Sequence, residues 1–286
     1  MDIVPLNTIK KHVVIRGINM GVGKEIRLAR LLNEKSGRLL AITMDHPITR
    51  GVLPGLEDIR GVLEKVCAGG PDAVTLQKGI ARNWFQPYAG KVALIMKSTT
   101  YSIPYHPYYD TPVADVEEAV ILGADAISVG MIVGGPEQAA QLTQLGKISK
   151  EADKLGMPLV AHIYPKGPMV NDPSDADRIA YAVRAGAELG VDIIKTIWSG
   201  SADTFQHVID SCPAKVCLAG GAAGNDLVDY LQLTRDGLDI GLSGVTFGRS
   251  VWGDAYPTAV VLALKALIHD DLSVDEAMAV YQAHAK

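Results

Sequence analysis

The stretch Gly190-Val191-Asp192-Ile193-Ile194-Lys195-Thr196-Ile197-Trp198-Ser199-Gly200 sets a pattern that the rest of the chain repeats. Branched apolar residues are followed by a turn at Ser199-Gly200, which predicts a short buried strand. Lys195 interrupts that strand, although lysine is almost never fully buried unless it is paired or functional. Two interpretations follow: an end-of-strand lysine that reaches water or pairs with a carboxylate, or a desolvated amine that attacks a carbonyl.

Short apolar runs of this kind recur along the chain, each followed by a turn and then by a stretch with helical spacing. The eight predicted strands are 39–45, 73–77, 92–98, 126–131, 159–164, 193–198, 216–219 and 245–248. The clearest predicted helices are 25–34, 136–155, 173–189, 203–209, 226–233, 259–268 and 274–283. Strands that alternate with helices predict a parallel sheet, and eight of them in about 250 residues favour a closed (β/α)8 barrel.

The alternative fold is a doubly wound open sheet. Such a sheet would place a phosphate loop such as G-x-G-x-x-G after the first strand, and residues 46–51 read His-Pro-Ile-Thr-Arg-Gly instead. No linker-like change of composition divides the chain. We therefore expect one domain over residues 1–286, a TIM barrel of the α/β class with an N-terminal helical leader at 1–37.

Composition narrows the possible partners. The 286 residues carry a net charge of −5, which argues against nucleic acid or an anionic membrane as the main partner. The N-terminus lacks the apolar core of a signal peptide, and the longest apolar run is too short to span a bilayer. We expect a cytoplasmic protein.

Cysteine and histidine spacing gives no sign of a metal site. The three cysteines, Cys67, Cys212 and Cys217, have no C-x-x-C spacing, and a reducing compartment suits them. The histidines at 46, 106 and 162 lie on different predicted elements. We predict neither a metal nor an organic cofactor.

Polar side chains stand where the predicted strands end, and in a (β/α)8 barrel those ends meet at one mouth. Asp45 ends the first run, Tyr164 ends the fifth, and Lys195 lies near the end of the sixth. Side chains two apart on a strand share a face, so His162 and Tyr164 point the same way, as do Thr43 and Asp45. The convergence of an acid, a tyrosine and a lysine favours a catalytic site.

Each of these residues also has a purely structural interpretation. Asp45 could cap the next turn, and Tyr164 could be a buried aromatic whose hydroxyl is satisfied. His46 could belong to a loop, and His162 could be a satisfied interior histidine.

Two other lysines compete with Lys195 for the role of the amine. Lys78 and Lys97 also end predicted strands. We expect both to be wetter, because Lys78 is followed by glycine and Lys97 by a long polar loop at 97–111 that is either a lid or a contact surface. Burial of Lys195 among three isoleucines, with a cation such as Lys166 nearby, is expected to lower its pKa.

The loops after the last two strands resemble an anion site. Gly220 and Gly221 follow the seventh strand, and Gly248 and Arg249 follow the eighth. Phosphate sites in (β/α)8 barrels are often built there, where bare backbone N–H groups and a guanidinium suit phosphate. The sequence therefore predicts a phosphorylated small molecule as ligand.

Taken in chain order, the motifs resemble those of the DeoC/LacD-type class I aldolases, in particular the archaeal-type fructose-bisphosphate aldolase group. They are Met44-Asp45-His46, Leu76-Gln77-Lys78-Gly79-Ile80, Tyr164-Pro165-Lys166-Gly167, Asp192-Ile193-Ile194-Lys195-Thr196, Ala219-Gly220-Gly221 and Gly248-Arg249.

The resemblance implies a (β/α)8 barrel in which Lys195 forms a Schiff base, Tyr164 transfers protons and Asp45 assists as acid or base. It implies that Gly220, Gly221, Gly248, Arg249, Lys166 and His46 hold the substrate and its phosphate. It also implies a homo-oligomer, a pentameric ring or a decamer.

The chain departs from the family pattern around the substrate. Lys166 stands where relatives usually have arginine, Pro47 where they have glycine, and Gly221-Ala222-Ala223 where many have Gly-Gly-Pro-Lys. The leading hypothesis is a metal-independent class I aldolase acting on a phosphorylated ketose. The alternatives are a transaldolase- or thiolase-type transferase on the same scaffold, as in aminodideoxyheptulosonate synthase or the autoinducer-2 phosphate thiolase, and a phosphate-binding barrel in which Lys195 is only electrostatic.

Overall fold

The computed structural model of the protein describes residues 21–220 and 226–286. Its strands are β1 Leu39–Thr43, β2 Ala73–Gln77, β3 Ala93–Lys97, β4 Thr99–Ser102, β5 His106–Pro112, β6 Ala126–Val133, β7 Leu159–Pro165, β8 Ile193–Thr196, β9 Lys215–Ala219 and β10 Gly244–Phe247. Eight of these close a barrel in the order β1-β10-β9-β8-β7-β6-β3-β2, with parallel neighbours throughout. The predicted (β/α)8 barrel is confirmed, and each predicted strand falls on a barrel strand.

The helices lie outside the barrel: α1 precedes the first strand, and the others lie between the barrel strands or after the last one. They are α1 Val22–Leu31, α2 His46–Arg50, α3 Ile59–Ala68, α4 Lys78–Trp84, α5 Val116–Leu122, α6 Gln138–Lys154, α7 Ala176–Glu188, α8 Ala202–Asp210, α9 Leu227–Asp239, α10 Arg249–Trp252, α11 Pro257–His269 and α12 Val274–His284. Local capping explains several starts: Asp115 and Ser273 each form a capping box with the acidic residue three positions on. Helix α7 begins later than the predicted residue 173, because the side chain of Asp175 accepts the capping hydrogen bond from Arg178 N.

The inside of the barrel changes from apolar to polar along the strands. At the amino-terminal end, Ala73, Val160 and Ile193 belong to one buried apolar cluster. Two positions further on, the same strands carry Thr75, His162 and Lys195, which are also buried. Because side chains alternate between the two faces of a strand, these pairs point into the barrel together. The polar end of the interior is therefore the carboxyl end of the strands.

Helix α1 closes the amino-terminal end of the barrel. Leu31 is fully buried in the apolar cluster there, with Leu28 and Leu32 packed against it. Lys24 on the same helix is buried, and its Nζ lies 2.8 Å from Asp153 and 2.9 Å from Asp192. The predicted helix of the leader is thus present, whereas residues 1–20 of the leader lie outside the described part of the chain.

The segment 97–111, predicted to be a long loop, is not one. Strands β4 and β5 form an antiparallel hairpin within it, on top of the barrel after β3. The side chains of Gln141 and Gln144 on α6 hydrogen-bond the backbone of β5, at Tyr108 O and Asp110 O respectively. The prolines and turn residues of this segment led to a loop prediction, but prolines are tolerated at the edges of a two-stranded sheet.

Within the two described ranges, no helix is both long and apolar enough to cross a membrane.

Candidate active site

The carboxyl ends of the barrel strands surround a cavity of about 380 Å³. All the predicted site residues that the structure describes line it: Asp45, His46, Tyr164, Lys166, Lys195, Gly220, Gly248 and Arg249. Gly221, the remaining one, lies outside the described residues. The convergence inferred from the barrel pattern therefore holds, and residues from five segments of the chain meet in one place.

Lys195 is a buried amine without an acidic partner. Its residue is 7% exposed, and its Nζ lies 3.5 Å from Thr43 Oγ1. No carboxylate of the described residues comes within 4.0 Å of that nitrogen. Burial lowers the pKa of Lys195 to about 8, and the charge of Lys97 adds to this, while Asp45 opposes it. A useful fraction of the amine is thus neutral and nucleophilic near neutral pH.

The competing lysines differ from what the sequence suggested. Lys78 is half exposed, is bonded to Glu118 at 2.6 Å and does not line the cavity, as expected for a surface lysine. The prediction that Lys97 is more exposed to solvent than Lys195 is wrong. Lys97 is 5% exposed and lines the cavity. Its Nζ lies 3.0 Å from Thr99 Oγ1 and 3.7 Å from Asp110 Oδ1. Lys97, not Lys166, is the cation that depresses the pKa of Lys195.

Strand β7 contributes two side chains on the same face, as predicted. His162 is in register with Lys195 on β8, and Tyr164 follows two residues later. Burial raises the pKa of Tyr164 well above its usual value, and the neighbouring Tyr101 adds to the effect. Burial lowers the pKa of His162, followed by the charge of Lys195. At neutral pH the phenol therefore keeps its proton and the imidazole is uncharged.

Asp45 lies at the start of α2, where the sequence allowed a capping role. Its side chain makes no capping hydrogen bond in the structure, and its carboxylate oxygen lies 3.7 Å from His46 Nδ1. The His46 ring packs edge-on against Trp252 at 5.3 Å between centroids. Burial lowers the pKa of His46 to about 4 despite Asp45. At neutral pH the His46 imidazole is thus uncharged, and it lies beside the Asp45 carboxylate, which faces the cavity.

The far wall of the cavity carries the predicted anion-binding groups. Gly220 follows β9, and Gly248 and Arg249 follow β10. A side chain at Gly248 would collide with His46 and Thr43, so the close approach of these two chain segments requires glycine. Arg50 also lines this side of the cavity and was missed from the sequence, since an arginine on a short helix gives no periodic signal.

The family resemblance predicts that Lys166 helps to hold the substrate or its phosphate. In the structure, Lys166 contacts two tyrosines of the hairpin. Its Nζ lies 5.2 Å from the centre of the Tyr101 ring and 5.8 Å from that of Tyr108, both on the hairpin. Burial lowers the pKa of Lys166, and the charge of Arg50 adds to this. Cation–π contacts of this kind hold the hairpin over the mouth.

Asp110 is a second cavity residue that the sequence patterns do not predict. It lies on β5 and is 2% exposed, within the segment predicted to be a loop. Aromatic and β-branched residues on both sides of Pro104 were the available signal for two paired strands.

No group of three or more His, Cys, Asp or Glu side chains in residues 21–220 and 226–286 is arranged to hold a metal ion.

The sequence profile of the DeoC/LacD family aldolases matches residues 39–254, a range that contains every barrel strand. The chain belongs to the DeoC/LacD aldolase family. The resemblance drawn from the motifs is confirmed, and the chain is an enzyme of the aldolase type.

Named relatives of this DeoC/LacD aldolase are similar over almost their whole length. The chain is 40% identical over 259 residues to the 2-amino-3,7-dideoxy-D-threo-hept-6-ulosonate synthase of Halobacterium salinarum, covering 90% of this chain and 96% of that protein. It is 30% identical over 254 residues to the 2-amino-4,5-dihydroxy-6-oxo-7-(phosphonooxy)heptanoate synthase of Streptomyces griseus, covering 88% and 92%.

A solved structure with a TM-score of 0.79 is an archaeal fructose-1,6-bisphosphate aldolase whose catalytic lysine is covalently bound to the carbinolamine intermediate of its substrate. It is 28% identical to this chain and covers 86% of it, and 99% of that protein is matched. The similarity therefore extends over the whole barrel of this DeoC/LacD aldolase.

Proposed function

We propose that this protein is a class I aldolase that forms or cleaves a C–C bond in a phosphorylated ketose through a Schiff base on Lys195. The observation that carries the proposal is the buried amine of Lys195, which has no carboxylate partner among the described residues and whose pKa is lowered to about 8 inside a cavity that also holds Asp45 and Tyr164. The archaeal aldolase with a lysine-bound carbinolamine supports the same chemistry.

In the first step, the neutral amine of Lys195 attacks the ketone carbon and gives a carbinolamine. Loss of water needs a proton on the departing hydroxyl, and Tyr164, which keeps its proton at neutral pH, is suited to supply it. The resulting iminium withdraws electrons from the adjacent C–C bond.

In the second step, a base removes the proton from the substrate hydroxyl beside the scissile bond. The bond breaks, an aldehyde leaves and an enamine remains on Lys195. Asp45 is suited to be this base, because its carboxylate lines the cavity and is not used as a helix cap. Protonation of the enamine and hydrolysis of the iminium release the second product.

The phosphate is proposed to bind at Gly220, Gly248 and Arg249. Backbone N–H groups and a guanidinium provide several donors in one direction, a geometry that suits a phosphate dianion. Lys166 and Arg50 add positive charge at the same mouth.

A transferase is the second candidate function, favoured by the 40% identity to a heptulosonate synthase. The enamine on Lys195 would then add to a second carbonyl compound instead of being protonated. Product analysis with and without an added aldehyde separates the two functions.

The test is borohydride trapping with dihydroxyacetone phosphate, read by mass on the proteolytic peptides. The wild type should gain a reduced adduct on Lys195. Tyr164→Phe should form the adduct more slowly and only in part, because the proposed proton donor for loss of water is absent, and should lower kcat by about 10²- to 10⁴-fold. Arg249→Ala should raise the half-saturating concentration of the phosphorylated ketone and leave that of dihydroxyacetone unchanged.

The control for the position of the amine is Lys97, the other buried lysine of the cavity. An adduct on Lys97, or no adduct with any phosphorylated ketose, would refute the proposal.

A further inference from the structure

The hairpin β4–β5 places the carboxylate of Asp110 in the cavity, and one of its oxygens has no hydrogen-bond donor among the described residues. Asp110 is 2% exposed, and no group among the described residues donates a hydrogen bond to its Oδ1. The nearest cation, Lys97 Nζ, lies 3.7 Å from that oxygen, which is beyond hydrogen-bond distance. A buried carboxylate oxygen without a donor is costly, so it calls for a partner that binds in the cavity.

The surroundings hold this carboxylate in place. Gly130 on β6 leaves the space that the carboxylate fills, because a Cβ at that position would collide with Asp110. On the other side, Asp110 N donates to Gln141 Oε1 at 3.4 Å, and Gln144 Nε2 donates to Asp110 O at 3.1 Å. The side chain thus sits in a built niche between the hairpin, β6 and α6.

The barrel order shows which part of a substrate can reach this niche. The proposed phosphate site follows β9 and β10, on one side of the Lys195 strand β8. On the other side, Lys195 is in register with His162 on β7, and His162 is in register with Gly130 on β6. A ketose fixed by its phosphate and by Lys195 therefore directs its unphosphorylated carbons toward Asp110.

The charges of the cavity favour an uncharged donor on that part of the substrate. Lys97 stands beside Asp110 and offsets its charge, and the Lys195 strand β8 is two strands from β6, against which Asp110 packs. An ammonium group would meet these cations, whereas a hydroxyl donates to a carboxylate in a short, charge-assisted hydrogen bond.

We propose that Asp110 is a specificity-determining residue that accepts a hydrogen bond from a hydroxyl on the unphosphorylated part of the ketose bound to Lys195. The proposal rests on the Schiff-base function proposed above. It makes the hairpin part of the substrate site and gives the enzyme a preference for polyhydroxylated ketones.

The test uses borohydride trapping with three probes that differ in their hydroxyl groups: hydroxyacetone phosphate, dihydroxyacetone phosphate and D-fructose 1-phosphate. In the wild type, the hydroxylated probes should half-saturate adduct formation at a concentration about 10- to 100-fold lower than hydroxyacetone phosphate. Asp110→Ala should abolish this gain in apparent affinity, so that all three probes half-saturate at similar concentrations, while the adduct still forms on Lys195. Asp110→Asn, which keeps the shape of the side chain, should lose most of it.

The matched control is Tyr105→Ala, which alters the 85% exposed tip of the same hairpin and should keep the full gain. If both Asp110 variants raised the half-saturating concentrations of all three probes equally, Asp110 would affect binding only through Lys97. That result would overturn the proposal. So would an unchanged gain in Asp110→Ala, or no gain in the wild type. If the 3-amino analogue of dihydroxyacetone phosphate half-saturated adduct formation at a lower concentration than dihydroxyacetone phosphate, the proposal that Asp110 binds a hydroxyl would be wrong.

Failure of the wild type to form an adduct with any probe would instead refute the Schiff-base function.

Discussion

Lys24 and Lys195 are buried at opposite ends of the barrel. Lys24 at the amino-terminal end is 3% exposed and contacts the carboxylates of Asp153 and Asp192. Burial alone would lower its pKa, but the two carboxylates raise it above the usual value. Lys195 at the carboxyl end is 7% exposed, has a hydroxyl as its near neighbour, and has a pKa of about 8.

The comparison separates burial from reactivity. Burial disfavours the charged form of both amines, and only the partner decides the outcome. Paired with two carboxylates, Lys24 stays protonated and holds α1 against the barrel. Without an ion-pair partner among the described residues, Lys195 keeps a lowered pKa, which suits the nucleophilic role proposed for it. Lys97, the third buried lysine of the described residues, has the carboxylate of Asp110 at 3.7 Å.

The largest expected effect comes from removing the amine of Lys195. Lys195→Met should abolish the borohydride adduct and lower turnover by about 10⁵-fold, because the nucleophile is lost. The melting temperature should stay the same or rise, since the substitution leaves no carboxylate unpaired. Steady-state kinetics and calorimetry measure both. A large loss of stability would mean that Lys195 has a structural partner.

Replacing Lys24 by methionine should have the opposite effects, a loss of stability with little change in activity. Lys24→Met leaves the mostly buried carboxylate of Asp192 without its cation and should lower the free energy of unfolding by about 3 kcal/mol. Activity of the folded enzyme should change less than about twofold, because the cavity lies at the other end of the barrel. Urea unfolding, with activity measured well below the transition, provides the measurement. A stable but inactive Lys24→Met would contradict the division of roles.

The dependence of stability on pH should reveal the depressed pKa of Lys195. Between pH 8 and about 10, the unfolded state binds a proton that the folded state has released, so stability should rise with pH. The gain should approach about 1.4 kcal/mol per pH unit in the wild type and vanish in Lys195→Met. The difference between the two unfolding curves at each pH isolates this residue. No difference would place the pKa of Lys195 at its ordinary value.

A smaller effect should follow from changing Asp45, whose charge raises the pKa of Lys195 against the dominant effect of burial. Asp45→Asn should shift the pH profile of adduct formation to lower pH by about one unit. The trapping rate measured from pH 6 to 10 gives the profile. A shift to higher pH would mean that Asp45 does not face the amine.

Part of this molecule follows from local sequence patterns. The apolar runs, their alternation with helical stretches and their number predicted the barrel, because alternation and burial of strands are properties of neighbouring residues. The same patterns put Asp45, Tyr164 and Lys195 at strand ends, and a parallel barrel brings those ends together. Capping residues such as Ser201 and Ser273 fixed helix starts in the same local way.

The hairpin shows where local patterns are insufficient. Strands β4 and β5 contain prolines and polar residues, and the glutamines of α6 that bond the β5 backbone stand some 30 residues away in sequence. The position of Asp110 over Gly130 could therefore not be read from the segment itself. The expectation that Lys97 is wet failed for the same reason.

Local sequence patterns were enough to predict the (β/α)8 barrel. They also placed Asp45, Tyr164 and Lys195 at the carboxyl ends of its strands. The tertiary structure decided which lysine has which partner: Asp153 and Asp192 for Lys24, Asp110 for Lys97, and no carboxylate in the described residues for Lys195. A pKa depends on charges and solvent within a few ångströms in space. Those neighbours come from distant parts of the chain, so the lowered pKa of Lys195 arises only in the folded barrel.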